Sequence, residues 1–135
     1  MTAAAQIVEV ERLRLDVPLQ RRNNVTWEIR AGNWGVVDLF VVTLGSGATG
    51  VGETTVNYTW GRVQDLSLER LAGCNALDLM WDDDLGAGLQ MALFDAVGKT
   101  LDVPMHRLLG TKRRDRCPVS WWAQDMPPQA WAAEA

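Results

Sequence analysis

The sequence predicts an α+β fold in which a three-stranded antiparallel meander is followed by a helical bundle. Residues 7–17 have the alternation of a strand, and residues 36–44 form an almost continuous apolar run. Gly45-Ser46-Gly47 then allows a tight turn, so that residues 48–54 return as a partner strand. After residue 60 the apolar spacing lengthens to three or four residues, which is typical of helices.

The first predicted strand changes its alternation along its length. Two apolar residues near its start lie on one face, and three near its end lie on the other. A β-bulge near Glu11 and Arg12 would reconcile the two patterns. The residues concerned are Val8 and Val10, then Leu13, Leu15 and Val17.

The strongest helical pattern begins at Leu85. Asp84 stands where an N-cap aspartate would accept hydrogen bonds from the first turn, and Asn75 is predicted to cap a shorter helix before it. A short helix over 105–109 and a strand over 117–123 are predicted to follow. The apolar stripe of the main helix consists of Leu85, Leu89, Ala92, Leu93, Ala96, Val97 and Leu101.

Composition and charge favour a folded domain that binds neither nucleic acid nor membrane. The 135 residues are 47% hydrophobic and carry a net charge of −4, which gives no attraction for polyanions. No signal-peptide pattern or membrane-length apolar run is present, so a cytoplasmic location is predicted. Cys74 and Cys117 lack metal-binding spacing and are predicted to be free thiols. Pro127 and Pro128 suit the start of a helix that reaches Ala135 without a terminator, which predicts a longer polypeptide.

Two linked segments resemble a known family. Residues 92–99, ALFDAVGK, followed by residues 103–110, VPMHRLLG, resemble the hallmark of the enolase superfamily in its mandelate racemase and muconate lactonizing enzyme branch. The element order, with Gly50-Val51-Gly52-Glu53 in the hairpin, is similar to that family's N-terminal capping domain. The resemblance implies that residues 1–110 form the substrate-lid cap. Residues 111–135 would then be a linker, the first strand and the start of a helix of a truncated (β/α)8 barrel.

The resemblance also implies an activity. Members of this branch are Mg2+-dependent enzymes that remove the proton beside a carboxylate through an enediolate, as racemases, cycloisomerases or acid-sugar dehydratases. The full-length parent would take a small carboxylate or acid-sugar substrate and form a homo-oligomer. Its base and metal ligands would lie on later barrel strands, so no catalytic or metal-binding residue is assigned here, and the chain alone is expected to be inactive. The alternative is a standalone binding module or a vestigial interaction module.

Two loops of such a cap cover the barrel mouth, and they correspond here to residues 19–34 and 54–60. Aromatic side chains in them could form an apolar lid wall, while an arginine or asparagine could meet an acidic group of the substrate. The alternatives are that the tryptophans pack the loop onto the sheet and that the arginines are solvated. The candidate lid residues are Arg21, Trp27, Trp34, Asn57 and Tyr58.

Ser120, Trp121 and Trp122 stand on the predicted first barrel strand. Neighbouring side chains of a strand point to opposite faces, so one tryptophan should face the barrel interior. This tryptophan could form the floor of the substrate pocket. The equal alternative is that it fills the barrel core or the interface with the cap.

Four other features favour structural interpretations. Asp95, inside the helix signature, is predicted to anchor the helix to adjoining backbone. The acidic residues 82–84 suit helix capping better than metal binding. His106 lacks partners for a triad or a zinc site, and the basic run 112–116 is predicted to be a junction turn with local salt bridges.

Overall fold

The predicted meander is confirmed. The computed structural model describes residues 3–17, 35–56, 63–64, 68–120 and 127–134. Three antiparallel strands form one sheet in the order β1-β2-β3, so the two outer strands are sequence neighbours of the central one. Their bounds are Ile7–Asp16 for β1, Val36–Leu44 for β2 and Thr49–Thr55 for β3.

One face of the sheet, called the inner face below, carries the core. Phe40, Val42 and Leu44 point into it from β2 and are fully or almost fully buried. They pack with the apolar side of the main helix, where Leu89 and Leu93 are fully buried. The helices are α1 at Ala76–Leu79, α2 at Ala87–Thr100, α3 at His106–Leu109 and α4 at Pro128–Glu134.

The bulge of β1 lies earlier than predicted. The pairing register shifts between Ile7 and Glu9, not near Glu11 and Arg12. The cause is tertiary, because the Ile7 N–H donates to the Cys74 carbonyl and the Ile7 carbonyl accepts from the Gly73 N–H, both at 2.8 Å. These bonds hold Ile7 in the core and leave Val8 exposed.

The main helix begins later than predicted. Residues Asp83–Leu85 form a 3₁₀ turn, and the cap is Asp82, whose side chain accepts from the Asp84 N–H. Gly86 follows with φ 86° and ψ 155°, a conformation that interrupts the helix and strongly favours glycine. The predicted apolar stripe is buried from Leu85 to Val97, but Leu101 is 51% exposed because the helix ends at Thr100.

The predicted strand over 117–123 is not formed in its described part, residues 117–120. These residues are exposed and belong to no sheet. A barrel strand is held by hydrogen bonds to neighbouring strands, and no described residue supplies such a partner to them. The short helix before this segment and the helix after Pro127 are confirmed.

Two smaller predictions, for Asn75 and for the cysteines, are also confirmed. Asn75 caps α1 as expected, accepting a hydrogen bond from the Leu77 N–H. Cys74 and Cys117 are free thiols. Among the described residues, no helix combines the length and apolarity needed to cross a bilayer.

Candidate functional site

The described residues next to both predicted lid segments meet at one end of the sheet. Asp16 and Val36 form the last pair of β1 and β2, and beyond them the Val17 N–H donates to the Gly35 carbonyl at 2.8 Å. The Val56 N–H donates to the Val36 carbonyl at 3.0 Å. The sheet thus holds the two attachment points of segment 18–34 beside the point from which segment 57–62 departs. This end of the sheet is called the loop end below.

A salt bridge braces the loop end. Arg14 and Asp38 are directly opposite each other, and the guanidinium contacts both carboxylate oxygens, Nε to Oδ1 at 2.8 Å and Nη2 to Oδ2 at 3.0 Å. The Asp38 side chain is 8% exposed and the Arg14 side chain 56%. A buried carboxylate needs such a partner, and the two-point contact fixes its direction. With both oxygens engaged, Asp38 is suited to joining β1 to β2 and not to accepting a substrate proton.

The predicted lid residues lie outside the described residues. This holds for Arg21, Trp27, Trp34, Asn57 and Tyr58, and also for Trp121 and Trp122. Ser120 is described, and it is exposed and outside any strand. The lid and pocket assignments therefore stay predictions, while the loop end gives the frame from which the lid segments extend.

Asp95 anchors the signature helix to the sheet, as predicted. Its Oδ2 accepts from the Val51 N–H at 2.9 Å and from Lys99 Nζ at 2.8 Å. Lys99 Nζ also donates to the Thr49 carbonyl at 2.8 Å. Strand β3 is at the edge of the sheet, so these side chains satisfy backbone groups that would otherwise be free to pair with another chain. We call Asp95 and Lys99 the edge clamp.

No role was predicted for Lys99 from the sequence. Asp95 and Lys99 are four residues apart, the spacing of an ion pair on one helix face. That spacing was a usable signal for the pair. The contact with Thr49 depends on how closely α2 approaches β3, which the spacing alone does not indicate.

Glycines in β3 set that close approach. A Cβ at Gly50 would collide with the Ala92 carbonyl oxygen and lie 2.7 Å from the Ala96 Cβ. A Cβ at Gly52 would collide with the Gly88 carbonyl oxygen and lie 2.6 Å from the Ala92 N. The strand and helix backbones are therefore in direct contact, and the Gly-x-Gly pattern is explained by packing.

The acidic residues 82–84 and the basic run 112–116 make the local contacts that were predicted. Asp82 caps the 3₁₀ turn, and Asp83 Oδ1 accepts from Gln90 Nε2 at 3.0 Å. Lys112 and Asp115 form a local salt bridge of 2.6 Å. Within the described ranges, no group of three or more His, Cys, Asp or Glu side chains is placed to hold a metal ion.

Two comparisons with known proteins agree with this architecture, and no family model matches the sequence. Over 35 residues the chain is 60% identical to a chloromuconate cycloisomerase from Cupriavidus pinatubonensis, a match that covers 26% of this chain and 9% of that enzyme. A crystal structure of muconate cycloisomerase from Pseudomonas fluorescens superposes with a TM-score of 0.62 and 25% identity. That superposition covers 87% of this chain. Both matches support the resemblance of the chain to the mandelate racemase and muconate lactonizing enzyme branch of the enolase superfamily.

The superposition shows that the meander and its helices have the fold of an enolase-superfamily N-terminal cap. The chain spans 35% of the length of the solved muconate cycloisomerase. The edge clamp lies in the helix signature of residues 92–99, and it joins that helix to β3. The two β3 glycines, Gly50 and Gly52, allow the helix and the strand to approach so closely.

Proposed function

We propose that this chain is the substrate-lid cap of a Mg2+-dependent enzyme that removes a proton beside a carboxylate. The observation that carries the proposal is the superposition of 87% of the chain on a muconate cycloisomerase. The base and the rest of the catalytic machinery would be supplied by a barrel domain.

The cap would orient the substrate and would supply none of the reacting groups. The Arg14–Asp38 salt bridge fixes the loop end, and the edge clamp with the glycine contact fixes the sheet on α2. Lid segments attached to this frame could exclude water and orient a substrate carboxylate. In this proposal the metal ligands belong to the barrel domain, as the family resemblance implies.

The remaining expectations follow from the same proposal. The substrate is a small carboxylate or an acid sugar, the cap docks on its own barrel domain, and the whole enzyme is a cytoplasmic homo-oligomer. Racemisation, cycloisomerisation and dehydration can all pass through an enediolate formed beside a carboxylate, so the cap itself is compatible with each of them.

An isotope-exchange assay tests whether the catalytic base lies outside the cap. The purified 135-residue chain is incubated with Mg2+ in D2O and a panel of small carboxylates and acid sugars, and deuterium at the α-carbon is followed by NMR. We expect no exchange above the rate without protein, because the base is not in the cap. Metal-dependent exchange by this chain alone would contradict the proposal.

Trp27→Ala tests the lid assignment in the full-length enzyme. Loss of an aromatic lid wall should raise KM or lower kcat, with a fall of roughly tenfold in kcat/KM, about 1.4 kcal/mol of transition-state binding. The melting temperature should stay unchanged. Trp81→Ala is the control, since Trp81 is an exposed tryptophan that contacts Phe94 edge-to-face at the helical side of the cap. It should lower stability and leave KM unaltered. Unchanged kinetics for Trp27→Ala would remove this residue from the lid.

A further inference from the structure

A row of polar side chains crosses the inner face of the sheet near the loop end. Arg14 is paired with Asp38, and Asp38 is paired with Thr54, so the three residues lie side by side on β1, β2 and β3. Among the residues that the structure describes, Asp38 and Thr54 are the buried side chains that carry polar groups. Further along the inner face of β2, the buried side chains of Phe40 and Val42 are apolar. Arg14, Asp38 and Thr54 are called the polar row below.

The polar row lies beside the attachment points of both predicted lid segments. On the inner face it is followed by the pair of Asp16 and Val36, which ends the β1–β2 ladder where segment 18–34 is attached. On β3, Thr54 comes shortly before Val56, whose N–H donates to the Val36 carbonyl at 3.0 Å. A shift of β1 or β3 against β2 at this row would therefore move the ends of both segments.

Stability alone does not explain an ion pair at this position. Burying the Asp38 carboxylate costs free energy that the attraction of Arg14 roughly offsets, and replacing a buried ion pair with apolar residues is often neutral or stabilising. Apolar residues here would extend the core to which Phe40 belongs. What the ion pair adds is direction. Its two contacts, at 2.8 and 3.0 Å, hold the two side chains in one geometry, whereas apolar contacts have no preferred direction.

We propose that Arg14 and Asp38 are positioning residues for substrate binding. Their ion pair sets the alignment of β1 and β2 at the loop end, and through it the placement of the lid segments that meet the substrate carboxylate. The pair acts through these segments and takes no part in proton removal. This inference rests on the proposed function, and it adds which residues of the cap control the affinity for substrate.

Apolar replacement of the pair separates positioning from stability. In the 135-residue chain, Arg14→Met removes the guanidinium from a buried carboxylate and should lower the urea midpoint of unfolding. Arg14→Met with Asp38→Val, called the pair variant below, removes both charges and should restore most of that loss. In the full-length enzyme, KM should nevertheless stay raised about tenfold in the pair variant, with kcat changed less than about twofold, because binding geometry is lost while the reacting groups are intact.

A conservative variant and a control accompany the pair variant. Arg14→Lys keeps the charge but loses the two-point contact. It should unfold at a midpoint close to that of the wild type and raise KM about threefold, so it tests the proposal even if the pair variant folds poorly. The control is Ser46→Ala with Thr100→Val, which removes a side-chain hydrogen bond of 2.8 Å at the hairpin end of the cap. It should leave KM as in the wild type, and a rise as large as in the pair variant would contradict the proposal.

Hydrogen exchange of backbone amides gives a readout that requires no activity. The Val17 and Val56 N–H groups donate hydrogen bonds across the loop end, and the Leu44 N–H donates one at the hairpin end. In the pair variant of the 135-residue chain, the first two amides should exchange about tenfold faster or more, because the alignment of the strands at the loop end is no longer fixed. The Leu44 amide should keep its rate.

Two results would overturn the proposal. One is exchange at Val17 and Val56 that is as slow in the pair variant as in the wild type. The other is an unchanged KM in both the pair variant and Arg14→Lys, which would leave the ion pair a structural role alone. If the wild-type full-length enzyme acted on no carboxylate in the presence of Mg2+, the proposed function would fail, and the exchange rates would still decide whether the ion pair fixes the loop end.

Discussion

Replacing Gly50 with alanine should destabilise the cap by about 3 kcal/mol or more, enough to unfold much of a marginally stable domain. The added methyl group would collide with the Ala92 carbonyl and press on Ala96. Both belong to the helix, which is held on its other side by the packed core, so the contact can be relieved only by moving a whole element. Gly52→Ala should have a similar effect through the Gly88 carbonyl.

Gly47→Ala is the matched control for this prediction. It makes the same chemical change in the neighbouring turn, where nothing lies within 4 Å of the added Cβ, although φ is +83°. The cost should be limited to backbone strain, about 1 kcal/mol. Urea unfolding of the three variants, followed by tryptophan fluorescence, gives the comparison. If Gly50→Ala proved no less stable than Gly47→Ala, close backbone contact would not explain the glycines of β3.

Asp95→Ala should lower the free energy of unfolding by about 1–2 kcal/mol, since hydrogen bonds to a charged group contribute about that amount even when partly exposed. The substitution leaves the Val51 N–H without its acceptor and releases Lys99 from the edge clamp. The edge of β3 is then open, so aggregation at high concentration should also increase. Thermal melts and light scattering measure the two effects.

Asp95→Asn separates the hydrogen bond to the Val51 N–H from the charge interaction with Lys99. The amide oxygen can still accept from the Val51 N–H, so at least half of the lost stability should return. Lys99→Met tests the second half of the clamp and should cost less, because the Lys99 side chain is 51% exposed. An Asn variant as unstable as the alanine variant would show that charge, and not the bond to Val51, is what holds the helix.

The sequence predicted the features that depend on neighbouring residues. Alternation and the Gly45–Gly47 turn located the hairpin, and Asn75 marked the start of α1 because an N-cap bonds only to its own helix. The helical spacing from Leu85 to Val97 also located the buried side of α2. The position of Asp95 in that helix was enough to suggest an anchor.

Features fixed by distant contacts could not be predicted in this way. The bulge position depends on the bonds of Ile7 to Gly73 and Cys74, more than sixty residues away. The late start of α2 follows from the conformation of Gly86, and Asp82, not Asp84, became the cap. The partnership of Arg14 and Asp38 required the strand register, which alternation alone does not give.

The most direct test of the central claim is to read the gene beyond the codon for Ala135. The claim that this chain is the cap of a carboxylate enzyme predicts an in-frame (β/α)8 barrel there. That barrel should contain a lysine or histidine placed as a base and three acidic residues placed as metal ligands. A stop codon at that position in an expressed natural gene would contradict the claim, and the chain would then be better explained as a binding module.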